Sequence, residues 1–165
     1  EDLWKLVLPL LERVLADFQR SRDVEGTKTG ADIRRQALLV RDRVADIEAA
    51  VPRLEERVRE GLRQRFRELM GEGVDEARIM AETAVQLVRC DVNEEVQRLK
   101  AHLETLLAAL EAPGAQGKRL DFVCQELGRE INTIGSKSTI LEIDAAVIAV
   151  KDALEKIREQ LRNVE

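Results

Sequence analysis

Apolar residues recur at alternating steps of four and three over long stretches of this 165-residue chain, and no other feature narrows its fold so far. Ile33, Ala37, Val40, Val44, Ile47, Val51, Leu54 and Val58 keep that spacing, and Ile140, Ile143, Val147, Val150, Leu154, Ile157, Leu161 and Val164 keep it again at the other end. Such steps hold an apolar seam on one face of a helix. A seam of this length packs against other helices or against a copy of itself. Related stripes run through Leu3, Val7, Leu10, Val14 and Phe18, through Val92, Val96, Leu99, Leu103, Leu106 and Leu110, and through Leu120, Val123, Leu127, Ile131 and Ile134. The expected fold is all-α: long amphipathic helices in a bundle with coiled-coil-like seams and oligomer contacts.

Composition agrees, with 44% apolar, 36% charged and 2% aromatic residues, the profile of long amphipathic helices. The length fits a single helical region, 1–165, in which 1–112 serve as a long-helix scaffold and 113–165 carry the most chemistry. With no Tyr, one Trp and three Phe, any nucleic acid bound here cannot rely on the stacked aromatic platforms that RRM and OB folds use, and phosphate contacts and shape would have to serve. A net charge of −5 argues against a generally basic coat but leaves room for local patches. Cys90, Cys124 and a single His make neither a disulfide framework nor a convincing zinc site, and a reducing cytoplasm is the expected compartment. No apolar run reaches membrane-spanning length. The sequence opens on Glu1 rather than Met, so it is expected to begin inside a longer protein.

Several interruptions punctuate the helices. Pro9 falls in the first one and is expected to kink it. The polar stretch 20–30 (RSRDVEGTKTG) is a worn helix end or a short loop. At Pro52 the chain either makes a hairpin turn near Val51, the preferred reading, or continues as one kinked helix. Gly71-Glu72-Gly73 is a break, with Asp75 able to cap the next helix. Asp91-Val92-Asn93-Glu94 has the form of a capping box, or else marks a bend. The clearest loop is 113–117 (PGAQG).

Two polar stripes border the apolar seams. Asp91, Glu95, Arg98 and His102 share one face of their helix, and Arg119, Glu126, Arg129 and Glu130 lie beside the seam of the next. Antiparallel packing across the short loop brings the stripes together. Carboxylates at helical spacing can hold Mg²⁺ or Mn²⁺, and His102 has the natural proton-transfer chemistry near neutral pH. The plain alternative is an amphipathic helix pair whose polar residues only satisfy one another. The 132–138 run (NTIGSKS) has the small residues, Gly and Lys to bind an oxyanion through backbone N–H groups. Six arginines fall between Arg53 and Arg67, and Arg59, Arg63 and Arg67 share a face suited to phosphates, or to Glu–Arg pairs in solvent. No nucleophile triad, Walker loop, HExxH or CxxC occurs.

The runs GKRLDFVCQELGREINTIGSKS, DVNEEVQRLKAHL and KIREQLRNVE resemble, in order, the signature segments of the YicC/YloC family of bacterial proteins. A weaker similarity lies in Arg22-Asp23-Val24-Glu25-Gly26. The resemblance implies an endoribonuclease dependent on a divalent metal, Mg²⁺ or Mn²⁺, assembling as a hexamer and acting in small-RNA turnover, with an N-terminal α/β domain that this chain lacks. It aligns Asp91, Glu94, Glu95, Arg98 and His102 with the family's first acidic-basic segment. Arg119, Asp121, Gln125, Glu126, Arg129, Glu130, Asn132 and Lys137 align with its second. Cys90, Cys124 and Gly128 depart from the usual residues. The resulting expectation is metal-assisted RNA cleavage, with Glu95, Glu126, Glu130 and His102 catalytic and Asp91, Glu95, Glu126 and Glu130 as metal ligands. Arg98, Lys118, Arg119, Arg129 and Lys137 hold RNA, and Arg59, Arg63 and Arg67 form an outer track. RNA, further copies of the chain and an RNA-degradation partner are the expected partners, with no membrane. The competing expectation is a non-catalytic helical oligomerisation or adaptor module in small-RNA turnover.

Overall fold

The computed structural model describes residues 2–70, 76–114 and 116–162, within which the chain forms five helices and no strand. The first, α1 (Asp2–Met70), is a single helix of 69 residues, about 100 Å long at a rise of about 1.5 Å per residue. Neither the break expected at 20–30 nor the hairpin expected at Val51 is present, and the helix is also continuous through Pro9. Across 20–30, Thr27 Oγ1 donates to the Asp23 carbonyl at 2.7 Å and Gln19 Nε2 to Asp23 Oδ1 at 2.9 Å, local bonds that accompany unbroken helix. The hairpin preferred at Val51 does not form either. Pro52 is exposed while Val51 and Leu54 beside it are buried, so the ring faces solvent and the seam passes it in phase. The packing of that seam outweighs one missing N–H.

The rest of the chain wraps the middle of α1. Helices α2 (Glu76–Cys90), α3 (Asn93–Glu111), α4 (Gly117–Lys137) and α5 (Leu141–Leu161) follow. The middle of α1 packs on α3 and α5, α4 packs on both of these, and the four close a bundle. Its core contains Ile33, Ile47, Leu54, Leu99, Leu106, Leu127, Ile131, Ile134, Ile143 and Ile157, the residues of the sequence seams. Each such side chain stabilises the fold by about 1.5–3 kcal/mol relative to exposure. Beyond the bundle α2 pairs with the C-terminal part of α1. At the other end Leu3, Val7, Leu10, Val14 and Phe18 stand exposed on α1. The expected break at Gly71-Glu72-Gly73 and cap at Asp75 lie outside the described residues. No helix among the described residues is long and apolar enough to cross a membrane.

The connections place the polar stripes. Asp91 Oδ1 accepts from the backbone N–H of Asn93 at 2.9 Å, which fixes the turn between α2 and α3. The expected capping box is not made, because Val92 is the N-cap residue and Glu94 pairs with Arg98 instead of reaching back. Between α3 and α4, Gly114 takes φ 88°, a left-handed conformation that glycine adopts without a Cβ clash. The oxyanion-binding turn expected at 132–138 is absent. Helix α4 runs to Lys137, and the Ser138 N–H donates to the Ile134 carbonyl at 3.0 Å, so those amides are spent inside the helix.

Candidate functional site at the seam between α3 and α4

Antiparallel packing sets the first turn of α3 against the last turn of α4. A helix favours negative charge at its N-terminus and positive charge at its C-terminus. Glu94 and Glu95 occupy the former and Lys137 the latter. Lys137 Nζ donates to Glu95 Oε1 at 2.8 Å and to the backbone carbonyl of Asp91 at 2.7 Å. Further along, Arg98 NH1 lies 3.6 Å from Glu130 Oε1, and the same guanidinium donates to Glu94. Glu95 and Glu130 are only 7% and 5% exposed, the two charged residues buried among the described residues. Buried carboxylates persist when a cation sits on them, and both have one. Glu95 Oε2, however, has no hydrogen-bond partner.

The structure thus joins the two predicted stripes, but selectively. Glu95, Arg98, Glu130 and Lys137 meet across the seam. His102 lies one turn beyond Arg98 on α3, half-buried, and makes no hydrogen bond or ion pair among the described residues. Glu126 pairs within its own helix, 3.4 Å from Arg129 NH1. Lys118 and Arg119 are exposed at the start of α4, at the opposite end from Lys137. Arg59, Arg63 and Arg67 are exposed on α1 beyond the bundle, and the first two line a cleft of about 410 Å³ against Ile79, Met80, Thr83, Ala84 and Leu87 of α2.

The four expected metal ligands do not converge. Asp91 Oδ1 is occupied by Asn93, Glu95 by Lys137, Glu130 by Arg98 and Glu126 by Arg129. No group of three or more His, Cys, Asp or Glu able to hold a metal exists among the described residues. The described residues of a single copy therefore hold no ready-made cluster of metal ligands, and each of these carboxylates would have to leave its present partner to take up a hard divalent ion.

What the seam offers is a buried carboxylate with one oxygen bound by an ammonium and the other buried without a hydrogen-bond partner, and the Arg98–Glu130 pair about one turn further along. The Glu95–Lys137 pairing escaped the sequence reading, which placed Lys137 on RNA. The signal lay in the complementary charges at the facing helix ends.

The model of the family described as "Endoribonuclease YicC-like, C-terminal" matches residues 47–165, which include this seam. The chain belongs to the YicC-like family. It is 35% identical over 165 residues to a protein of Clostridioides difficile named "Probable endoribonuclease YicC", covering 99% of this chain and 56% of that protein. A protein of the same name from Haemophilus influenzae is 33% identical over 159 residues, covering 96% of this chain and 55% of that protein. The chain spans about half the length of these YicC relatives. In this YicC-like chain the matched region takes in all of α2 to α5, whereas the exposed apolar ladder of α1, Leu3 to Phe18, lies outside it.

Proposed function

We propose that this chain is the helical part of an endoribonuclease and that the α3–α4 seam takes part in phosphodiester cleavage. The observation that carries the reading, beside the names of the relatives, is the buried Glu95 Oε2 left without a hydrogen-bond partner beside Lys137, with the Arg98–Glu130 pair about one turn further along. In this reading Glu95 accepts a proton from the attacking hydroxyl, Arg98 and Lys137 hold the phosphate's negative charge, and His102 returns a proton to the leaving oxygen. Lys118, Arg119 and Arg129, with the track Arg59, Arg63 and Arg67, hold the flanking RNA backbone. A requirement for Mg²⁺ or Mn²⁺ enters the proposal in one form only, with ligands drawn from more than one chain. The apolar ladder of α1 is in this reading covered by further copies of the chain, in keeping with its heptad-like spacing.

The experiment is cleavage of end-labelled single-stranded RNA by the full-length protein and its Glu95→Gln variant, with and without EDTA. Cleavage by the wild type and its loss in the variant are expected, with 2′,3′-cyclic phosphate ends marking attack by the ribose hydroxyl. No cleavage by the full-length protein overturns the enzyme reading, and cleavage indifferent to EDTA removes the metal.

A second reading is favoured by the cations that occupy all three candidate catalytic carboxylates together with the exposed ladder of α1. A module that binds RNA or a degradative partner without cutting needs no free base. It predicts RNA binding and self-association by full-length protein that cleaves nothing.

A further inference from the structure

On the side of α4 that faces α5, away from the seam, an open groove of about 630 Å³ is lined by Gln125, Gly128, Arg129, Asn132, Lys151 and Arg158, among others. We propose that this groove is a second binding site for single-stranded RNA, holding its phosphates between Arg129, Lys151 and Arg158 and stacking one base on Phe122. The proposal rests on the endoribonuclease reading for its ligand class, shares Arg129 with it, and extends it to Lys151, Arg158 and Phe122, which that reading leaves unused.

Donors with little else to bind line the groove. Among the described residues Lys151 makes no ion pair and the Asn132 amide makes no hydrogen bond. Arg129 lies 3.4 Å from Glu126, and Arg158 lies 3.8 Å from both Asp121 and Glu155. Charge-assisted bonds are about 2.7–2.9 Å long, so these guanidiniums are loosely held and exchange onto a phosphate at low cost. Glu155 is the one acid in the lining, and Glu126 and Asp121 stand beside Arg129 and Arg158, so Lys151 is the lining cation that no carboxylate pairs among the described residues.

Shape and an aromatic point the same way. A Cβ built on Gly128 would meet nothing within 4 Å, which leaves the middle of α4 open to a ligand. Phe122 is 61% exposed and precedes Gln125 and Arg129 by one and two turns on the same face of α4. A single exposed ring is no platform for several bases, but one base can stack on it at the edge of the groove without its identity being read. A free phosphate or an acidic peptide would leave Phe122 without a role. Arg129 also adjoins Glu130 in sequence, so a strand lying in the groove is led over α4 towards the seam.

The test measures binding of a 2′-O-methyl RNA, which lacks the attacking hydroxyl, to the full-length protein by fluorescence anisotropy across a salt series, with mass by light scattering and cleavage of ordinary RNA run in parallel. Lys151→Gln is expected to weaken binding roughly 3- to 10-fold near 0.1 M salt and to lessen the log–log salt slope by about 0.7. Phe122→Ala is expected to weaken it roughly fivefold or more with the slope unchanged. Gly128→Leu, which suits a helix and fills the open space, is expected to weaken binding without loss of stability. Unchanged RNA binding in all three variants overturns the groove even where the wild type cleaves RNA. Weakened binding in variants of a protein that cleaves nothing keeps the groove and removes the nuclease reading. A change of mass in place of a change in RNA affinity assigns the groove to a protein partner and overturns the proposal.

Discussion

Lys137 and Glu95, 42 positions apart in sequence, close the end of the α3–α4 pair through a 2.8 Å hydrogen bond between an ammonium and a carboxylate that is almost wholly buried. The second bond of Lys137, to the Asp91 carbonyl at 2.7 Å, ties the turn that begins α3 to the last turn of α4. One side chain therefore fixes both the register of two helices and the position of the unpartnered, buried Glu95 oxygen.

Removing that ammonium strands a buried charge. Lys137→Met is expected to destabilise the fold by about 3 kcal/mol, and Glu95→Gln by less, since an amide carries no charge to strand. The double variant should lose less than the sum, with a coupling of about 1–3 kcal/mol. Urea unfolding of the four proteins checks this, and additive losses would mean that the pair is not formed in solution.

Cys124 is expected to be inert. Burial first, then the neighbouring Asp121 carboxylate, push its thiol up from 9.0 to about 12, against a smaller opposing effect of Arg158. It stays protonated at neutral pH, so a thiol reagent at pH 8 should leave it unmodified until the protein is unfolded. Because the folded value lies above the unfolded one, the unfolded chain releases this proton first as pH rises. Stability should therefore fall between about pH 9 and 12. A Cys124→Ala variant should lose that part of the alkaline decline.

Pro52 is a flaw that packing overrides. Pro52→Ala restores an N–H to the helix, worth about 3 kcal/mol, less about 1 kcal/mol for the freedom returned to the unfolded chain. A net gain of about 2 kcal/mol in urea unfolding is expected. A loss would show that the ring relieves some strain in α1.

Two glycines of α4 should respond differently to alanine. At Gly128 there is open space, and the helix gains about 0.5–1 kcal/mol. At Gly135 the new methyl would stand 3.1 Å from Val147 Cγ1, and Val147 is buried with a branched, stiff side chain. Gly135→Ala is expected to be neutral or destabilising, and its pairing with Val147→Ala to recover part of the loss. Thermal melts of the three variants decide it.

The apolar ladder of α1 provides a test of self-association. Leu10→Lys together with Val14→Lys should lower the mass seen by light scattering while leaving the melting of the bundle within about 0.5 kcal/mol of wild type, as for other surface changes.

The seams were legible because their steps of four and three survive any tertiary arrangement. Ile33 to Leu54, Leu99, Leu127 and Ile157 are buried where the pattern puts them. Local punctuation was less legible. Pro52 and the glycines of 20–30 carry breaking signals that are real but smaller than the packing and local bonding around them, so α1 runs through both. At 132–138 the composition suited a loop, yet Ile134 is buried and the helix continues to Lys137. The meeting of the polar stripes followed from a short loop and antiparallel packing. Which acid met which base did not, because side-chain reach and the exact register are properties of the folded pair. Lys151 and Arg158 carried no signal in the sequence, and only the packing of α5 on α4 lines them up with Arg129 along one groove.

A helix without a joint is also a lever. The part of α1 from Leu3 to Gly30 extends about 40 Å beyond the bundle at about 1.5 Å per residue. A tilt of about 5° where Ile33 enters the core moves Leu3, about 45 Å away, by about 4 Å, most of a helical turn. Small rearrangements among α1, α3 and α5 are thereby magnified at the tip, and a load applied at the tip returns to the core as torque on Ile33, Ala37 and Val40.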